Sequence, residues 1–191
     1  MSEVIKIANC SGFYGDNLSI AKKMVEGGPI DVLTGDYLAE LTMTILYNQK
    51  MKRGENQGYV GTFLKQFRDV AKLCNDQKIK IVSNAGGLNP ASMAAEVENI
   101  IKELNLDLKV AYIDGDDLMP RLDELSSSGE KLKNIDKNND LFSYEKKPLT
   151  ANAYLGAWGI KEALDNGADV VICPRVTDAA VVIGPAAWKF N

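Results

Sequence analysis

Three groups of residues in this chain have the types and spacing to do chemistry. Asp36 and Glu40 stand four apart in GDYLAE, a spacing that puts two carboxylates on one face of a helix. Like charges so placed repel, and in a partly buried space one of them holds its proton more tightly. The same spacing also suits a plain helix start, with Asp36 as cap and Glu40 near the positive end. Asp114-Gly115-Asp116-Asp117 gathers three carboxylates around a glycine, which could hold a hard cation or accept hydroxyl hydrogen bonds, or could simply turn the chain and cap a helix. Arg175, in PRVTD, brings a guanidinium to this acidic set. It could clamp a carboxylate or phosphate through paired hydrogen bonds, or pair with Asp178, Asp114 or Asp116. The chain has no histidine, which excludes Ser-His and Cys-His catalysis and histidine-ligated metals within it and leaves acid–base work to Asp, Glu, Lys, Tyr or Cys. Asp36, Glu40 and Asp116 are the expected acid–base carboxylates.

Glycine turns supply the second kind of candidate. Ile79–Leu104 reads as strand, turn and helix, broken at Asn84-Ala85-Gly86-Gly87, with Asn89 as N-cap and Pro90 at the first helical position. The amide groups of that helix start would favour an anion or a carbonyl oxygen. A tight turn without a ligand explains Gly86 and Gly87 equally well. Ser11, Gly12 and Gly15, in CSGFYGD, repeat the pattern with a possible N–H nest, and Asp16 or Asn17 would cap the helix that follows. This is not GxGxxG, so a dinucleotide fingerprint is unsupported. The expected ligand-binding set is Ser11, Gly12, Gly15, Asp16, Asn84, Gly86, Gly87, Asn89, Asp114, Asn152, Arg175 and Asp178; the metal and any cofactor remain unknown.

Apolar patterning says what must position these groups. Strands are expected from Val4, Ile30, Ile79, Leu108 and Ala168, alternating with helical stretches, which predicts an α/β fold with a mainly parallel sheet flanked by helices. In such sheets ligands bind outside the carboxyl ends of the strands, where every cluster above falls. A helix carrying Leu38, Leu41, Ile45 and Leu46 on one stripe is expected after the second strand. MKRGENQG, at 51–58, reads as a surface loop or lid, and a helix over Tyr59–Cys74 buries Phe63 and Phe67. Ser126–Lys147 is polar and reads as an exposed excursion with short structure near Leu141–Tyr144. Helices are expected over Ala151–Leu164 and from Ala179, the latter leaving Val181, Val182, Ile183, Trp188 and Phe190 without partners.

Composition bounds the class. The 191 residues, 46% hydrophobic and 25% charged, suit one globular domain. A net charge of −4 with scattered basic residues lacks the footprint of nucleic-acid binding. No apolar run reaches the roughly 18 residues of a membrane span, and MSEVIKIANCSG lacks the form of a signal segment. A cytoplasmic protein with no nucleic-acid or membrane partner is expected. Cys10, Cys74 and Cys173 are too widely spaced for a disulfide framework or a zinc site.

Taken together, SGFYGD, GDYLAE, NAGGLNP, DGDDL, TANAYLGAWGI and PRVTDA occur in the order found in the N-terminal domain of the acyclic terpene utilisation (AtuA) family, which the chain resembles from Ile7 to Pro185. It departs from the family at Pro174, where a glycine is usual, and across Ser126–Lys147. The family continues into a region with histidine-bearing motifs, so 1–191 is expected to be a single α/β domain lacking C-terminal family sequence. The resemblance implies bacterial catabolism of acyclic terpenes through acyl-CoA thioesters. Two functions follow as expectations. One is acyl-CoA or small-carboxylate catabolism with acid–base chemistry by carboxylates, on a ligand with an anionic group such as an acyl-CoA. The other is a non-catalytic binding or scaffolding subunit, its site completed by further sequence, a partner chain or a homo-oligomer.

Overall fold

The computed structural model describes residues 4–190. Five parallel strands, β1 (Ile7–Asn9), β2 (Val32–Gly35), β3 (Lys80–Ser83), β4 (Val110–Tyr112) and β5 (Val170–Ile172), form one sheet in the order β1-β2-β3-β5-β4. Register carries Leu33 onto Ile81, Ile81 onto Val170 and Val110 onto Val170. Because side chains alternate across a strand, that row faces one core while Val32, Val82 and Val171 face another. The first core is completed by α1 (Ile20–Glu26), α2 (Glu40–Arg53), α3 (Gly61–Gln77) and α4 (Pro90–Glu103), and the second by α6 (Trp158–Asp165) and α7 (Ala180–Phe190). Both faces of the sheet are covered, so its strands read as continuous apolar runs. Each fully buried Val, Leu or Ile contributes roughly 1.5–3 kcal/mol.

The strand order has a consequence for function. Connections from β1 to β2, β2 to β3 and β3 to β4 run in one direction, whereas β4 to β5 runs back and places β5 beside β3. Right-handed crossovers then put the β3-to-β4 and β4-to-β5 connections on opposite faces, and α4 and α6 do pack on different cores. The reversal falls between β3 and β5, and in open α/β sheets such a switch point is where ligands commonly bind.

Several expected elements are corrected. The helix expected at 151–164 begins only at Trp158, because the preceding segment is drawn out between two strand-end loops. Ala153 N–H donates to the Asp116 carbonyl, Leu155 N–H to that of Arg175, and Thr177 N–H to that of Leu155. In α2 the buried residues are Thr42, Met43 and Leu46, while Leu41 is exposed; the helix starts at Glu40, which turns Leu41 to solvent. The same helix runs through 51–53, leaving a shorter loop than expected. The 122–127 stretch forms a single short helix, α5 (Leu122–Ser127), after a 3₁₀ turn, and the excursion beyond it carries a 3₁₀ turn at Leu141–Ser143, as expected.

On α7, Val181 is buried against the second core, contrary to expectation, and Trp188 packs partly there. Val182, Ile183 and Phe190 are exposed. Gly184 is what brings α7 so close, since a Cβ there would lie 2.5 Å from Ile160 Cγ2.

Candidate functional site

Four polar residues line up across the carboxyl edge of the sheet in the order of the strands themselves. Asp36 follows β2, Asn84 follows β3, Arg175 lies three residues past β5 and Asp116 four past β4. Asn84, wholly buried, ties the first two loops together. Its Nδ2 donates to Asp36 Oδ1 at 2.5 Å and its Oδ1 accepts the Tyr37 N–H at 2.8 Å. Asp116, also buried, accepts the Arg175 N–H at 3.2 Å and Asn152 Nδ2 at 2.8 Å. Ser11 joins through its carbonyl, which accepts the Asp36 N–H.

Arg175 is the centre of the cluster. Its side chain is only 4% exposed, unusual for a cation. Nη1 donates to the Leu38 carbonyl at 3.0 Å and lies 3.4 Å from Asp178 Oδ1. Nη2 lies 3.6 Å from Glu40 Oε1, and the Tyr154 ring covers the guanidinium with its centroid 4.1 Å from Cζ. The Tyr154 hydroxyl in turn donates to Glu40 Oε1. Nε is buried without a hydrogen-bond partner. Glu40 therefore reaches Arg175 while Asp36 is held by Asn84, and the two do not share a helical face: Asp36 precedes α2, whose N-cap position is Ala39 with no side-chain cap. The shared helical face and the Asp36 cap do not hold, whereas Glu40 does stand in the first turn of α2, at its positive end.

The carboxylates differ in proton affinity. Burial raises Asp36 above the usual carboxylate range, with the Asn84 hydrogen bond opposing and the charge of Asp178 reinforcing the rise. Burial raises Asp116 as well, against the opposing bonds from Asn152 and Arg175 N–H. Glu40 is held below its ordinary value, chiefly by the Tyr154 hydroxyl. One edge thus sets two carboxyls of raised proton affinity beside one of lowered affinity.

Other expected residues serve packing. Gly86 N–H donates to the Cys173 carbonyl, Gly87 N–H to that of Asn84 and Leu88 N–H to that of Gly58, so the glycine turn spends these donors within the chain. A Cβ on Gly86 would lie 2.6 Å from Cys173 O, and Gly87, at φ +54°, would meet Leu46 Cδ1 at 2.4 Å. Asn89 caps α4 by accepting the Ser92 N–H, and its Nδ2 holds the carbonyls of Glu55 and Gln57. Gly12 donates to Asp16 Oδ2 at 3.1 Å, so the carboxylate of Asp16 fills the nest beside Gly15 from within, and α1 begins later than expected, at Ile20. Asp114 is exposed, and Asp117 caps a turn by accepting the Met119 N–H. Among the described residues no group of three or more carboxylates or cysteines is arranged to hold a metal.

Tyr154, which covers Arg175 and bonds Glu40, is the member of the cluster missed in the sequence, because a helical reading of 151–157 gave no reason to aim it at Arg175.

A groove of about 250 Å³ runs beside this edge, lined by Tyr47, Met51, Leu88, Asp117, Met119 and Leu149 among others. Asp117 joins it to the Asp116 loop. A hollow of about 520 Å³ between α3 and α4 is lined by residues such as Arg68 and Glu103, and no strand-end residue reaches it.

The model of the acyclic terpene utilisation family protein AtuA matches residues 5–191. The chain belongs to the acyclic terpene utilisation family. No curated protein and no solved structure matches it. This family membership accords with the order of the strand-end motifs. Among the described residues, no helix is long and apolar enough to cross a membrane.

Proposed function

We propose that this acyclic terpene utilisation family protein acts in acyl-CoA or small-carboxylate catabolism, binding a ligand with an anionic group at Arg175 and moving a proton through a strand-end carboxyl. The single observation that carries this reading is a nearly buried guanidinium at the sheet's switch point with one unpartnered nitrogen. Buried cations without full pairing are costly and mark functional positions. Asp36 suits proton transfer, being partly buried with raised proton affinity. Asp116 acts through Arg175, whose backbone it holds, and Glu40 is the ionised, solvent-facing member. The neighbouring groove, where Leu88, Met119 and Leu149 alternate with Lys50, Glu55 and Asp117, offers a mixed surface for the rest of the ligand. With no histidine in the chain, proton transfer falls to Asp, Glu, Lys, Tyr or Cys, and Asp36 is a group among them that stands at this edge with raised proton affinity.

A second reading, a non-catalytic binding or scaffolding subunit completed by further sequence or a partner chain, is favoured by a different observation. Tyr154 covers the face of Arg175, and apolar Trp158, Val182, Ile183 and Phe190 stand exposed on α6 and α7. Incubation with a panel of branched and linear acyl-CoAs and free carboxylates, followed by mass spectrometry, separates the two. Turnover that Asp36→Asn abolishes supports the first; saturable binding without turnover supports the second.

A further inference from the structure

We infer that the Glu40 carboxylate is an internal stand-in for the ligand's own, and that a singly charged carboxylate binds by displacing it from Arg175 and Tyr154. This deepens the reading of Arg175 as an anion site and rests on it.

The guanidinium has two edges able to grip a carboxylate, and they are used differently here. Nη1 is committed to the Leu38 carbonyl and to Asp178. The edge formed by Nε and Nη2 is not: Nε has no partner, and Nη2 has only the 3.6 Å approach of one Glu40 oxygen. A charge-assisted bond between such groups normally measures about 2.7–2.9 Å. Glu40 therefore marks the place of an anion without filling it. A carboxylate presenting both oxygens would match the Nε and Nη2 donors in the paired geometry that guanidinium favours.

The two partners are also unequally held. Arg175 is fixed by its backbone, with N–H on Asp116 and carbonyl accepting from Leu155, and its side chain is 4% exposed. The Glu40 side chain is 81% exposed, so it can swing into water without losing solvation. Tyr154 is half exposed, and its hydroxyl, now spent on Glu40, is free to donate to whatever replaces that oxygen. Charge limits the ligand: the guanidinium already lies beside Asp178, with the Asp36 carboxyl within electrostatic reach, so a phosphate dianion would meet more repulsion than a monoanion.

Calorimetric titration with isovalerate and, separately, inorganic phosphate tests this on the wild-type chain and on Glu40→Ala, Glu40→Gln, Tyr154→Phe and Arg175→Lys, with melting curves recorded for each. Glu40→Ala should bind isovalerate more tightly than wild type, by roughly 5- to 150-fold, the usual span of a coupling between competing groups. Glu40→Gln should fall between them, Tyr154→Phe should bind more weakly, and phosphate should be the poorer ligand throughout. Wild-type binding that Arg175→Lys weakens but Glu40→Ala leaves unchanged or reduces would overturn displacement while keeping the anion site. Isovalerate binding to neither wild type nor Glu40→Ala would overturn both, and a preference for phosphate would overturn the monocarboxylate assignment. If Arg175→Lys fails to fold, the comparison of wild type with Glu40→Ala still decides.

Discussion

Arg175 and Tyr154 meet face-on at the carboxyl edge of the sheet, the guanidinium carbon 4.1 Å from the ring centroid, although they come from separate segments. The extended run at 151–157 delivers the tyrosine, and β5 delivers the arginine. The contact places a cation–π pair over the switch point, worth about 2 kcal/mol or more when desolvated.

Replacing Arg175 by Ala should weaken binding of an anionic ligand by on the order of 2 to 5 kcal/mol if the ligand's charge is buried against it. The protein should still fold. The carboxylates that approach the guanidinium, Glu40 and Asp178, have side chains 81% and 69% exposed, so its removal strands no buried anion among them. Loss of the Leu38 bond should cost about 0.5–1.5 kcal/mol, and loss of the Tyr154 contact about 2 kcal/mol more. Titration calorimetry and denaturant melts read the two effects separately.

Asp36→Asn should stabilise the fold at neutral pH while abolishing any turnover. The folded carboxyl holds its proton above the ordinary value of 3.8, so ionisation there opposes folding. That opposition begins as pH rises past 3.8 and is complete above the raised folded value. Wild type and variant should therefore converge in stability at acid pH and separate toward neutrality. Glu40→Gln should behave oppositely. A lowered folded value gives wild type a small advantage above pH 4.5, lost as pH falls through the folded value. Urea melts across pH 3 to 8 measure both signs.

Gly86→Ala and Gly87→Ala should each destabilise by about 1–3 kcal/mol or more through overpacking. At Gly87 the left-handed backbone adds a further roughly 1–3 kcal/mol. The contacts responsible are the Cys173 carbonyl and Pro90 for the first, and Leu46 and the Gly58 carbonyl for the second. Thermal melts should show both falling far below Gly12→Ala, where the added methyl meets nothing within 4 Å.

Tyr37→Phe tests a polar contact inside the first core. The Tyr37 hydroxyl donates to Gln66 Oε1 at 2.5 Å, and Gln66 Nε2 is already buried without a partner. Removing the hydroxyl leaves the amide oxygen unsatisfied as well, at a cost of about 1–3 kcal/mol. Adding Gln66→Leu should recover most of it, since removing both polar partners is nearly neutral.

The sheet was legible because its strands are buried on both faces and so appear as apolar runs, as in Ile81-Val82 and Val170-Val171-Ile172. Strand order was not. It depends on β5 inserting between β3 and β4, a long-range choice that no local pattern encodes. Asp36, Asn84, Asp116 and Arg175 could be found because each follows a strand. The occupied amides around Gly86 could not, because their acceptors, Cys173 and Gly58, lie far along the chain. Tyr154 was hidden for the same reason, since 151–157 is held straight by hydrogen bonds to the loops after β4 and β5 rather than by its own sequence.

The central claim is that the strand-end cluster around Arg175 is one ligand site. Nitrogen-resolved NMR of the side-chain Nε–H of Arg175, together with the side-chain amides of Asn84 and Asn152, during titration with isovalerate or isovaleryl-CoA, tests it most directly. A saturable shift of the Arg175 Nε–H, with the two amides moving at the same midpoint, is the predicted result. Saturable shifts confined to α3 and α4 around Arg68, with Arg175 unmoved, would contradict it.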